Sequence, residues 1–251
     1  MAFALTLVHL EEALQKPGCP ICRLGDEAAR RSVDGFLWEN VNDPESRRPL
    51  QEAYGFCPEH TRLLVATEME SSGVLLGVNL IYESLARQAL RDLQKGGSLQ
   101  SPHKGIGGWL ARRWRRSGSS TPQTARPVCP LCRAVEDVQA NALVTLMEDL
   151  TMHAEHAQAL YRQADGLCLM HLRQALAQHA ERFPAATRFL REETVRRLDT
   201  LAAHMREYIR KQNWAYRDEA MTEEERVAWL RVLVFFTGYS PERLVRRLEP
   251  F

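Results

Sequence analysis

The chain carries six cysteines in two sets of three, and each third cysteine is followed three residues later by a histidine. The first set is Cys19-Pro20-Ile21-Cys22 with Gly55-Phe56-Cys57-Pro58-Glu59-His60. The second is Cys129-Pro130-Leu131-Cys132 with Gly166-Leu167-Cys168-Leu169-Met170-His171. Thiolates and a neutral imidazole are the ligands of a tetrahedral zinc ion. A CxxC turn presents two sulfurs on one side of a tight knuckle, and Cys and His at i and i+3 share a face when they open a helix. Each set therefore supplies four ligands, and the expectation is two Zn²⁺ sites: Cys19, Cys22, Cys57 and His60 in one, Cys129, Cys132, Cys168 and His171 in the other. Three thiolates on Zn²⁺ leave a net charge of −1, so Arg23 and Arg133, each next to its knuckle, are candidates for the compensating cation. Four soft ligands close the coordination shell, which marks a structural rather than a catalytic metal.

Other chemistries fit less well. A thioredoxin-like CxxC needs a βαβ setting, and the flanks here are helical. Haem ligation by Cys-Pro would not require the recurring histidine. An iron–sulfur cluster with Cys₃His ligation is the alternative that spacing alone leaves open, and so is a thiol-based redox or regulatory role, since oxidising a thiolate cluster releases its metal. The sequence contains no GxSxG, GxxxxGK[ST], HExxH or GxGxxG motif, so no catalytic residue is assigned and a non-enzymatic protein is expected. Asp149, His153 and His156 share one helical face, and without a partner from another helix they read as an exposed polar surface.

The elements that must position these ligands are helices. The second copy of the motifs follows the first by 110 residues at the knuckle (129 against 19) and 111 at the third cysteine (168 against 57), which indicates an internal duplication. Helix formers fill 21–40 and 134–150, Asp43-Pro44 reads as a helix start, and 73–95 is amphipathic through Val74, Val78, Ile81, Leu85 and Ala89. Leu198, Leu201, Ala202, Met205 and Ile209 form a similar stripe, expected to lie in a bundle core. Thr222 to Glu225 is a capping box, and Ser240-Pro241 opens a last helix. The fold class expected is all-α: two repeated zinc-clipped helical units, 1–95 and 128–211, packed as a bundle, with a helical extension at 212–251.

The motifs CPIC…GFCPEH and CPLC…GLCLMH, with the amphipathic tail after Trp229, resemble an uncharacterised bacterial family of helical proteins known only as a family of unknown function. The second copy departs from the pattern in having Leu167 and Leu169 where the first has Phe56 and Pro58, and its ligands remain intact. The resemblance implies a bacterial cytoplasmic origin and no known activity.

Composition bounds what remains. Among 251 residues, 45% are apolar and 26% charged, and 33 basic residues against 32 acidic ones leave a formal +1, so no global field announces a polyanionic partner. MAFALTLVHL lacks a basic n-region, which argues against a secretory signal, and no apolar run reaches the roughly 18 residues of a spanning helix. A cytoplasmic location, with reduced thiols, is expected. The neutral total conceals a basic linker over 96–127, which holds six lysines and arginines and no acid. Within it Trp109, Arg112, Arg113, Trp114, Arg115 and Arg116 alternate aromatic faces with guanidinium groups. That pattern suits stacking on bases and pairing with phosphates, or an acidic partner, through residues 104–116. Trp229, Phe235 and Phe236 offer a possible homodimer surface.

Overall fold

The computed structural model describes residues 2–95, 128–216 and 218–246. The basic segment 96–127, with Lys104, Trp109, Arg112, Arg113, Trp114, Arg115 and Arg116, lies outside them. The described residues contain α-helices, a π-helical turn and a 3-10 turn, with no strand, so the protein is all-α as expected. In chain order the helices are α1 (Ala2–Leu14), α2 (Pro20–Gly35), α3 (Pro44–Glu52), α4 (Pro58–Ser72), α5 (Leu76–Gln94), α6 (Pro130–Met152), α7 (Ala154–Gln163), α8 (Leu169–Gln178), α9 (Pro184–Lys211), α10 (Glu223–Thr237) and α11 (Pro241–Arg246).

Local chemistry explains many of the boundaries. Six helices begin at a proline, the residue whose fixed φ suits the first helical turn and whose missing N–H is not needed there. The Asp43 carboxylate accepts the Ser46 N–H at 2.8 Å and starts α3. At α10 the capping box forms in full: Thr222 Oγ1 accepts from the Glu225 N–H at 3.2 Å, and Glu225 Oε2 accepts from the Thr222 N–H at 3.0 Å. α4 ends at Gly73 and α10 at Gly238, both left-handed. The amphipathic 73–95 stretch is helical from Leu76, because Gly73 terminates the preceding helix and the buried Glu68 side chain accepts the N–H groups of Gly77 and Val78 to cap α5.

The described chain forms two compact units, Met1–Glu27 with Asp137–Phe251, and Ala28–Glu136. They interleave in sequence. The first unit has a core of α1, α6, α7, α8 and α9 side chains, including Leu10, Leu143, Met147, Tyr161, Ala186 and Leu190. The second has a core of Val33, Leu50, Leu64, Ile81, Leu85 and Leu131. α9 buries Ala186, Phe189, Leu190 and Glu193 of its N-terminal half. The stripe expected farther along is not core: Leu198, Leu201 and Met205 are half-buried, and Ala202 and Ile209 are exposed. Likewise Val74 is exposed, while Ile81 and Leu85 are buried.

Candidate metal centres

Each ligand pair occupies a helix start. Cys19 precedes α2 and Cys22 lies in its first turn, with the Arg23 N–H bonded to the Cys19 carbonyl at 3.0 Å; Cys129 and Cys132 repeat this at α6, with Arg133 to Cys129 at 3.3 Å. Cys57 and Cys168 are the N-cap residues of α4 and α8, in extended backbone, and their carbonyls accept the N–H groups of Thr61 and Leu172, each at 2.8 Å. That cap places His60 and His171 in the first turn, on the same face as the cysteine. The glycine two residues ahead of each is left-handed, Gly55 at φ +109° and Gly166 at φ +84°, a conformation that carries no Cβ penalty in glycine.

All eight residues assemble into two groups of four, but not into the groups that the repeats suggest. One group is Cys19, Cys22, Cys168 and His171; the other is Cys57, His60, Cys129 and Cys132. Each centre joins the knuckle of one repeat to the Cys-His pair of the other, which corrects the expected sets. The compact units divide the same way: Cys19 and Cys22 belong to the unit of Cys168 and His171, and Cys57 and His60 to the unit of Cys129 and Cys132.

The distances within each group are those of a four-ligand cage. In the first, His171 Nδ1 lies 3.5, 3.4 and 3.3 Å from the sulfurs of Cys19, Cys22 and Cys168, and Cys22 lies 3.7 Å from Cys168. In the second, His60 Nδ1 lies 3.3, 3.6 and 3.4 Å from Cys57, Cys129 and Cys132, and Cys57 lies 3.7 Å from Cys132. A tetrahedron with Zn–S bonds of about 2.3 Å and Zn–N bonds of about 2.05 Å has edges of about 3.8 Å and 3.5 Å. Sulfurs at these separations are not disulfides, whose bond is about 2.05 Å, and all six cysteines are free.

The surroundings differ. In the first centre Cys19, Cys168 and His171 are buried, and burial pushes the Cys19 thiol up to about 12. Hydrogen bonding to the crowded Cys168 and Cys19 sulfurs raises Cys22, while Cys168, which accepts from Cys19, Cys22 and His171, is lowered. Gly238 also abuts this centre: a Cβ there would sit 2.9 Å from the Cys22 sulfur and 3.3 Å from that of Cys168. In the second centre only Cys129 is fully buried, and burial of Cys132 also moves its thiol up to about 12.

Residues 1–243 match the model of a family of unknown function (DUF6062). The chain belongs to this family. It is also similar to an "uncharacterized 23.9 kDa protein in xynA 3'region" of Caldicellulosiruptor sp. (strain Rt8B.4), 23% identical over 230 residues that cover 90% of this chain and 98% of that protein. No solved structure matches.

The other sequence-chosen residues fall as follows. The Arg23 guanidinium donates to the Pro17 carbonyl ahead of its knuckle, leaving a buried Nε without a partner, and Arg133 is exposed. His153 Nδ1 lies 2.9 Å from the buried Asp149 carboxylate, and no third ligand joins them among the described residues. Trp229 and Phe236 are exposed and Phe235 half-buried. No described helix is long and apolar enough to cross a membrane. Sequence reasoning did not find the approach of Gly238; its only local signal is a glycine ending an amphipathic run.

Proposed function

We propose that this protein is a zinc-stabilised helical binding protein in which two Zn²⁺ ions are structural. The observation that carries this is the pair of complete Cys₃His cages whose edges suit one tetrahedral ion each. A bound zinc supplies folding free energy there by tying two helix starts together, and four protein ligands leave no position for a reacting water. Sulfurs 3.7 Å apart enclose a single ion, which favours zinc over a polynuclear iron–sulfur core. Metal analysis of the purified protein with its visible spectrum is the test: two zinc per chain and no colour are expected, and a brown protein or a different stoichiometry overturns the reading.

The cytoplasm, where thiols stay reduced, is the compartment we assign. The partner we assign is a nucleic acid, contacted through the Trp109 to Arg116 segment. The support is the local excess of six basic residues with interleaved tryptophans. Affinity should then fall steeply with salt, and replacing Arg112, Arg113, Arg115 and Arg116 by alanine should weaken it while zinc content stays at two. Unchanged binding in that variant overturns the assignment.

A further inference from the structure

Beside the first metal centre, within the same compact unit, lies a cavity of about 280 Å³. Arg162, Arg196, Arg197 and Arg231 line it, with one acidic residue, Asp165. Asp165 is already committed, since its Oδ2 accepts the Gly18 N–H at 2.7 Å. The Glu193 carboxylate holds Arg196 at 2.6 Å and Arg197 at 2.8 Å and so answers only part of this charge.

Arg197 is built in place. Its side chain is 16% exposed, its Nε donates to Glu193, its Nη2 donates to the Tyr161 carbonyl, and its guanidinium lies 4.8 Å from the centre of the Tyr161 ring. Nη1 has no partner among the described residues and occupies the space that a side chain at Gly166 would fill, because a Cβ there would meet it at 2.0 Å. Gly166 thus serves the cavity as well as the metal loop. Arg231, from α10, is exposed and forms no hydrogen bond or ion pair among the described residues. Held guanidinium groups with free N–H donors are the usual bidentate receptors for carboxylate and phosphate. Leu201, Val234 and Phe235 give the wall an apolar part, beside the polar Gln163, Thr194 and Thr200.

We propose that this cavity binds a small organic anion, its carboxylate or phosphate held by Arg197 and Arg231 and its apolar body lying against Leu201, Val234 and Phe235. The site rests on the same binding-protein reading and names a ligand class for it, although its residues are separate from the basic segment at 104–116. A small anion in a half-open, half-apolar cavity gains more from a fixed guanidinium than it would in open water.

The test is calorimetric titration of the full-length, zinc-loaded protein with phenyl phosphate, benzoate, inorganic phosphate and benzyl alcohol. Saturable 1:1 binding of phenyl phosphate or benzoate is expected, and whichever binds more tightly identifies the head group. Arg231→Gln should weaken that binding by about tenfold or more. Gly166→Ala, which pushes Arg197 off its position, should abolish it. Zinc content and thermal melting of each variant report whether the fold survived. Since Gly166 is left-handed and a side chain there strains the fold, the exposed Arg231 carries the decision. The proposal is overturned if neither organic anion binds, if Arg231→Gln leaves their affinity unchanged, if benzyl alcohol binds as well as benzoate, or if inorganic phosphate matches phenyl phosphate. A chain with no zinc would instead overturn the metal reading, which the metal analysis reads separately.

Discussion

The two candidate metal centres are each built from one CxxC knuckle and one Cys-His pair at helix starts, yet they differ in cover. One has three of four ligands buried and Gly238 packed against its sulfurs; the other has three of its four ligands only half-buried. The two ligand sets share residue types and motif spacing, and the residues around them differ. α10 and the turn that follows it lie outside both repeats, and Gly238 in that turn packs against the sulfurs of the first centre. The difference in cover predicts different rates of ion release from the two sets.

The largest effect should come from breaking one cage. Cys168→Ser leaves one zinc per chain, and because that thiolate belongs to the same centre as Cys19 and Cys22, the lost ion is the one that Cys22→Ser also releases. Cys57→Ser and Cys132→Ser should likewise act as one pair on the other ion. Cobalt substitution, read from the thiolate-to-metal absorption of single and double variants, checks the pairing: Cys22→Ser with Cys168→Ser should retain one full site, and Cys22→Ser with Cys57→Ser none. The opposite pattern would restore the within-repeat sets. Each loss should also lower the melting temperature sharply, as structural zinc contributes on the order of 10 kcal/mol in small domains.

Chelator competition sharpens the contrast in cover. Zinc should leave in two phases of equal amplitude, the faster by roughly tenfold or more, and Cys57→Ser should remove the fast phase. A single phase would mean that cover does not govern exchange.

A smaller effect is expected from the glycines. Gly238→Ala places a Cβ 2.9 Å from the Cys22 sulfur and strains a left-handed residue at φ +74°. Gly73→Ala has nearly the same φ, +69°, and nothing within 4 Å of the new atom. The control should cost about 1 kcal/mol from backbone conformation alone. Gly238→Ala should cost about 1–3 kcal/mol more through overpacking, and should quicken only the slow phase of zinc release. Urea unfolding and the chelator assay check both.

What could be read from the sequence divides along the same line as local and distant interactions. The ligand residues, the Asp43 cap and the Thr222–Glu225 box were legible because each is decided within three residues of chain. The partition of ligands was not, because it depends on where the ends of α2, α3, α6 and α7 arrive. The stripe from Leu198 to Ile209 has a core-like period but continues past the region where α9 is covered, so Ile209 is 65% exposed. Arg197 is a further case: its role follows from lying across Gly166, 31 residues earlier, which no local pattern announces.

The smallest effect concerns how α10 is fastened. Lys211 Nζ, at the end of α9, lies 2.8 Å from both carboxylate oxygens of Glu225, and both side chains are under 10% exposed. The Lys211 ammonium, followed by the Thr222 N–H, holds the Glu225 carboxyl below the usual glutamate range. A carboxyl lowered on folding stabilises the folded state at pH values above its unfolded pKa of about 4.3, and that contribution fades as the pH falls through the lower folded value. Lys211→Met should therefore flatten the acid side of the stability profile below about pH 4.3, while the capping bond from Thr222 retains part of the slope. Since α10 leads into Gly238, the variant should also quicken the slow phase of zinc release at neutral pH and leave the fast phase as it was. Equal quickening of both phases would show that α10 does not act as the cover of one centre.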